Sequence, residues 1–424
     1  GGQQHLVALA GVLAMEPEFI IVDEPAAQLD PHNARKTYEQ LREIQRETEV
    51  GVIAIEHHTE FIGDYCDRLV MVADGDVAWA KPVDIGLNRV EELLDADIHP
   101  PQVTQIARQL PNREGTLPNG RYPVTVEQAV NAFPTVAPKG DHPVKPDGRG
   151  SDKTLISVSD VTHGYPTLRE GRKTVLDAFD IELYADSRVA LVGANGAGKS
   201  TLLRLLTGLE SPDKGTVTVL GNDTNDTLPE ELAEETVYIH QNPEEMFVEE
   251  TVREDIAYYL ESRDDPDVDE RVADVIEFLD LEDIADRDGR LLSVGQQRRA
   301  SLAIGLATDP TIVLLDEPTG SLDLQSRREV TQILSRSVTR TETVVVATHD
   351  LQLVAEWADR VVVLGPGGIL ADETPRSMFE QPELLAQAHL RPPQVVEVSD
   401  RLGIDPPALT TSGIVDRLPT QEGR

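Results

Sequence analysis

The chain has 424 residues, with 76 Asp+Glu against 38 Lys+Arg for a net charge of −38, and only eight of those bases are lysine. No apolar run approaches the roughly 18–20 residues of a transmembrane helix, and a single cysteine, Cys66, excludes a disulfide framework or a cysteine-rich metal or iron–sulfur domain within these residues. The acidic excess reads as a surface adapted to high salt, where self-repulsion is screened, and it argues against broad nucleic-acid binding, which needs cations to neutralise phosphates.

The chain opens on Gly1-Gly2-Gln3-Gln4, with no Met and no leading element, which reads as a start inside a motif. Residues 19–22 form a short apolar strand that ends at Asp23-Glu24-Pro25. Residues 52–55 form a second, followed by His57 and His58. Seven prolines and five glycines between residues 111 and 150 have the composition of a linker. Beyond it, 154–158 and 188–192 read as strands, and a glycine-rich turn leads from the second into a helix over 201–209. An acidic helical stretch over 269–281 comes next, then buried strands at 312–315 and 343–347, the last running up to His349. Short apolar strands alternating with helices predict an α/β fold, a parallel sheet covered by helices on both faces.

The chain also repeats itself. Gly2-Gln3-Gln4 recurs as Gly295-Gln296-Gln297, and the strand ending in Asp23-Glu24-Pro25 recurs before Asp316-Glu317-Pro318, both at an offset of 293. His57 pairs with His349, and Pro100-Pro101-Gln102-Val103 with Pro392-Pro393-Gln394-Val395, at an offset of 292. The expected organisation is a tandem duplication whose first copy is shorter by about its first 140 residues. Residues 1–81 are the later part of the first copy and 82–110 its tail. Residues 111–152 are the linker, 153–380 a complete second copy, and 381–424 a tail repeating 82–130.

Gly193-Ala194-Asn195-Gly196-Ala197-Gly198-Lys199-Ser200 matches G-x-x-x-x-G-K-[ST] between a strand and a helix. Glycines let the backbone wrap phosphates with N–H groups inward, and the helix N-terminus adds positive potential. Lys199 is placed to reach the β- and γ-phosphates, and the Ser200 hydroxyl to ligate Mg²⁺. Asp316 and Glu317 emerge at the C-terminal end of an apolar strand, where ligands bind in such sheets. Asp316 suits the Mg²⁺ shell and Glu317 a base that polarises water against the γ-phosphate; Asp23 and Glu24 repeat the pair. A lone histidine at a strand end is usually a packing residue, but His349 and His57 recur at the repeat offset, which points to γ-phosphate contacts. His58 has Asp350 in its place in the second copy and reads as surface. Cys66, which aligns with Ala358, reads as a small packing residue.

Together these motifs resemble the ATP-binding cassette (ABC) ATPases, P-loop NTPases with a RecA-like parallel sheet and a helical signature subdomain. Leu292-Ser293-Val294-Gly295-Gln296 is similar to the family's LSGGQ signature, and Gly320-Ser321-Leu322-Asp323 to its D-loop, with Asp30 as the first-copy counterpart. The resemblance implies that Gln241 is the Q-loop glutamine of the Mg²⁺ shell, that Tyr165 stacks on adenine and that Thr201 completes the phosphate loop. It covers 1–81 and 153–380. His240-Gln241-Asn242-Pro243-Glu244-Glu245-Met246-Phe247 more narrowly resembles ATPase subunits of energy-coupling-factor importers of cobalt, nickel and vitamins.

The same resemblance implies an ATPase using ATP and Mg²⁺, peripheral on the cytoplasmic face of the membrane and docked on integral membrane transporter components, with 243–247 as a contact. It further implies that cassettes pair head to tail, so the Lys199 site uses the signature Gly1-Gly2-Gln3. The other site then faces Ser293-Val294-Gly295, where a β-branched valine replaces glycine and crowds a γ-phosphate. The rival reading is a soluble tandem cassette protein acting on the ribosome.

Overall fold

In the computed structural model the described residues are 9–25, 29–73, 75–111, 114–134, 151–167, 171–263, 265–320, 322–337 and 340–419. Gly1, Gly2, Gln3 and Ser321, which the sequence marks for the first signature and the D-loop, lie outside them. The chain divides into two units, Gly1–Val144 with His389–Arg424, and Lys145–Ala388.

In the first unit β1 (Phe19–Asp23) and β2 (Gly51–Ile55) pair in parallel, Phe19 opposite Gly51 through to Asp23 opposite Ile55. The helix Pro31–Thr48 connects them. It starts where the Asp30 side chain accepts from the Asn33 N–H at 2.9 Å and Pro31 fills a first-turn place that needs no donor, and it ends at Glu49 with φ of 58°. Ala34, Tyr38 and Leu41 are its buried stripe. β3 (Arg68–Ala73) and β4 (Asp76–Pro82) form a separate antiparallel pair.

Among this unit's other short helices are Gln102–Gln109, Val126–Ala132, Gln394–Arg401 and Thr411–Val415. The two tails meet reciprocally. Val103 N–H donates to Gln394 Oε1 at 3.3 Å, and Val395 N–H to Gln102 Oε1 at 3.0 Å. Both glutamines are buried, so each repeat caps the other's helix. This corrects the linker expectation. Thr125 accepts from Gln128 N–H, and Ala129 and Phe133 are buried, so packed chain runs well into 111–152. A proline and glycine count averaged over forty residues hid one capped helix.

In the second unit β5 (Thr154–Thr167), β6 (Gly171–Tyr184), β8 (Lys214–Val219) and β9 (Asn222–Asp223) form an antiparallel sheet in the order β6-β5-β8-β9. The larger sheet runs β10-β11-β12-β7-β13-β14, with β7 (Ser187–Val192), β10 (Thr236–Ile239), β11 (Ile312–Asp316), β12 (Thr343–Thr348), β13 (Arg360–Gly365) and β14 (Gly368–Glu373). It is parallel except at β14. Alternate residues divide its two faces. Val313, Leu315, Val344 and Val346 pack with helical residues such as Ile256, Leu302 and Trp357. Ile312, Leu314, Val345, Ala347, Val362 and Leu364 pack with Leu202 and Leu206 and with the antiparallel strands. The first-unit counterparts of these last six are Phe19, Ile21, Ile53, Ile55, Val70 and Val72, and all six are exposed. In the second unit β7 lies between the counterparts of β2 and β3; among the described residues the first unit has no such strand.

Candidate functional site

The loop after β7 is shaped by close approach. A Cβ on Gly193 would stand 2.5 Å from Leu364 O, and Gly198, with φ of 101°, is the N-cap of the helix Lys199–Leu206. That helix begins two residues before the expected one because Lys199 and Ser200 are its first turn. Lys199 is 6% exposed; its Nζ donates to Gly193 O at 2.7 Å and lies 3.5 Å from Glu317 Oε1. Asn195 and Gly196 are exposed at the loop's crest, while Thr201 is buried.

Asp316 ends β11, buried, with Tyr238 Oη donating to its Oδ2 at 3.2 Å. Its Oδ1 is buried without a hydrogen-bond partner. Burial, reinforced by Glu317, raises its pKa against the opposing Ser200 hydroxyl, Tyr238 and Lys199. An orphaned carboxylate oxygen with a serine hydroxyl beside it suits a hard divalent cation with oxygen ligands, so Asp316 and Ser200 fit Mg²⁺.

Glu317 has φ of 47°, a left-handed conformation uncommon outside glycine, and its N–H donates to Ala347 O at 2.8 Å. Thr348 Oγ1 donates to Glu317 Oε2 at 3.1 Å, and His349 Nδ1 lies 2.8 Å from Oε1. Burial opposes ionisation of Glu317, but His349 and then Lys199 overcome it and hold the carboxyl below its usual range. Burial likewise opposes protonation of His349, yet the Glu317 carboxylate raises its pKa. Lys199, Asp316, Glu317 and His349 therefore share one buried charge cluster at the strand ends.

The first unit repeats the backbone of this arrangement without its closeness. Glu24 has φ of 42°, and its N–H donates to Ile55 O at 3.0 Å, as Glu317 does to Ala347. His57 Nδ1 is 3.4 Å from Glu24 Oε1, and the Glu24 side chain is 45% exposed. Asp23 is exposed. His58 is not the bare surface residue expected: its Nδ1 lies 2.7 Å from the buried Glu56.

Ser293 caps the helix Val294–Leu306 in a reciprocal box with Gln296, so the signature residues open a helix. Val294 is 47% exposed at its first position. A Cβ on Gly295 would fall 2.1 Å from Ser326 Oγ, which is itself held by Asp323 Oδ2 at 2.9 Å, so signature and D-loop touch through Ser326. Asp323 and Asp30 do the same work in the two copies, each accepting the N–H three residues on, from Ser326 at 2.8 Å and from Asn33 at 2.9 Å. Tyr165 Oη is 3.1 Å from Thr201 Oγ1 and donates to Glu210 at 2.7 Å, which sets its ring beside the phosphate-loop helix.

Two further placements bear on the expected roles. The Gln241 side chain is exposed, and its main-chain oxygen accepts from Arg298 at 2.6 Å. Within the expected docking segment Pro243, Met246 and Phe247 are buried, leaving Glu244 and Glu245 outward. Sequence reasoning missed three partners. Arg298, 2% exposed, ties the signature helix to His240 O and Gln241 O, and burial lowers its pKa to about 10 despite Asp316 and Glu317. Tyr238 holds Asp316. Asp350 gathers Arg327, Thr319 and the next helix's N-terminus. Only the placement of Asp350 straight after His349 was a usable signal.

Residues 176–320 match the family model described as ABC transporter. A Methanosarcina mazei protein provisionally named an ABC transporter ATP-binding protein is 30% identical over 434 aligned residues, spanning 99% of this chain and 72% of its own length. A protein of the same provisional name from Caldanaerobacter subterraneus subsp. tengcongensis is 31% identical, spanning 95% of this chain and 71% of its own. Among solved structures, cbiO1 from Clostridium perfringens, named as part of the ABC transporter complex cbiONQ, aligns at 22% identity with a TM-score of 0.49, covering 59% of this chain and all of that one.

Proposed function

The chain belongs to the ABC transporter ATP-binding proteins, and from that premise we propose that it is the peripheral ATPase of an energy-coupling-factor-like importer of a metal ion or vitamin. Its family hydrolyses ATP, and its cassette is an α/β P-loop NTPase fold. No helix among the described residues is long and apolar enough to cross a membrane, so on this reading transport runs through separate integral membrane subunits. The relatives' names speak of transport, against the ribosomal alternative. The observation that carries the chemistry is the Lys199–Glu317–His349 cluster beside Asp316.

In this mechanism the loop 193–200 wraps the phosphates and Lys199 leaves Gly193 O to meet them. Asp316 and Ser200 would hold Mg²⁺, which would neutralise phosphate charge. Glu317, kept ionised by His349 and Lys199, orients a water and accepts its proton, and His349 then faces both the carboxyl and the γ-phosphate. Tyr165 offers a ring to the adenine. On the head-to-tail pairing that the resemblance implies, Ser293, Gly295 and Gln296 would serve the opposite site, with Val294 in place of a glycine there, and Gly1, Gly2 and Gln3 the Lys199 site. Glu24, His57, Asp23, Asp30, Asp323 and Gln241 take the corresponding flanking roles. The −38 charge supports working in concentrated salt. The test is uptake of cobalt, nickel or vitamin by cells carrying Lys199→Ala: loss of uptake supports the reading, and unchanged uptake overturns it.

A further inference from the structure

The first unit differs from the second at two positions that flank the shared histidine. Where the second has Thr348-His349-Asp350, the first has Glu56-His57-His58. The exchange changes the donor set. In the second unit Thr348 donates to Glu317 and Asp350 binds Arg327 and Thr319. In the first, Glu56, His57 and His58 each present one ligand atom, all within 4.8 Å of one another. Among the described residues it is the single group of three His, Cys, Asp or Glu side chains with that spacing.

Glu56 Oε1 lies 2.7 Å from His58 Nδ1, its hydrogen-bond partner in the metal-free chain, and 3.9 Å from His57 Nδ1. These separations bracket the ~3.3 Å between ligands of a tetrahedral ion at about 2.0–2.1 Å. Glu56 is also prepared from behind. Its side chain is 2% exposed, Tyr38 Oη donates to the far oxygen Oε2 at 2.6 Å, and the His57 and His58 N–H groups hold Oε1 at 3.0 Å each. An anchored carboxylate whose second oxygen is hydrogen-bonded is the outer-shell arrangement that tunes metal ligands.

We infer that Glu56, His57 and His58 form a site for a first-row divalent transition ion of the Zn²⁺ class. A donor set of two imidazoles and one carboxylate favours such an ion over Mg²⁺ or Ca²⁺, which take oxygen donors. The site draws on residues that the transport reading uses only in part, and its test needs no ATP turnover, so the two stand or fall separately.

The experiment is equilibrium dialysis of the full 424-residue chain, stripped with chelator, against Zn²⁺ in excess Mg²⁺, with visible spectra of the Co²⁺-loaded chain. Expected are one tightly bound equivalent that Mg²⁺ does not displace and the intense bands of tetrahedral Co²⁺. His58→Asp and Glu56→Thr, which restore the second unit's residues, should each weaken binding at least tenfold, and Tyr38→Phe about tenfold. Thermal melts of each metal-free variant separate lost ligation from lost folding. Binding that is multiple, displaced by Mg²⁺, or unchanged in properly folded His58→Asp overturns the inference and assigns the uptake to the acidic surface.

Discussion

Glu317→Gln isolates the charge of one carboxylate without disturbing its frame. Glutamine has the same length and meets the same strain at a φ of 47°, so the backbone bond to Ala347 survives. An acceptor oxygen remains for the Thr348 hydroxyl. What disappears is the negative charge 2.8 Å from His349 Nδ1 and 3.5 Å from Lys199 Nζ, together with the oxygen that the proposed mechanism uses as its base. Loss of a positioned general base costs about 10²–10⁴-fold in rate, which is about 3–5 kcal/mol at ~1.4 kcal/mol per decade. Affinity moves the other way, because Lys199 no longer shares its charge with a carboxylate and the phosphates meet one fewer anion. Steady-state phosphate release should therefore collapse in molar salt while labelled ATP is retained on a filter at least as well as by the parent. Weakened ATP binding with undiminished turnover per bound nucleotide would refute the role given to Glu317.

The Glu317–His349 pair also sets a pH window. Glu317 is depressed below its ordinary 4.5, so its stabilisation is lost as pH falls through that lowered value; His349 is raised above its ordinary 6.5, so its stabilisation is lost as pH climbs through the raised value. The difference in melting temperature between the parent and His349→Gln should be widest between pH 4.5 and 6.5 and shrink on both sides; a flat difference contradicts the coupling. Gly295→Ala places a methyl 2.1 Å from Ser326 Oγ and should cost about 1–3 kcal/mol in denaturant titrations, relieved in Gly295→Ala/Ser326→Gly; no relief would mean that the contact is not the cause. Diluting salt from 1 M to 0.01 M lengthens the Debye screen from about 3 to about 30 Å, and the melting temperature should fall; a flat or rising one contradicts the high-salt surface.

Contiguous features were legible in the sequence. The phosphate loop is eight adjacent residues, and Asp316, Glu317 and His349 stood out because each comes after an apolar strand and recurs at a fixed offset. The features that stayed hidden are joined only in space. Arg298 reaches back to residues 240 and 241 from within a helix whose buried face carries no charge pattern to betray it. The strands β5 and β6 were read as little more than residues 154–158, because bulges break their alternation of faces several times.

The reciprocal caps of Gln102 and Gln394 mean that the ends of the two repeats are parts of one folded object. The chain is thereby closed into a loop by packing as well as by peptide bonds. A single proteolytic cut between residues 135 and 152 would leave two fragments that still travel together. For the same reason the pairing of the two tails is an intramolecular contact, on which dilution of the protein has no purchase.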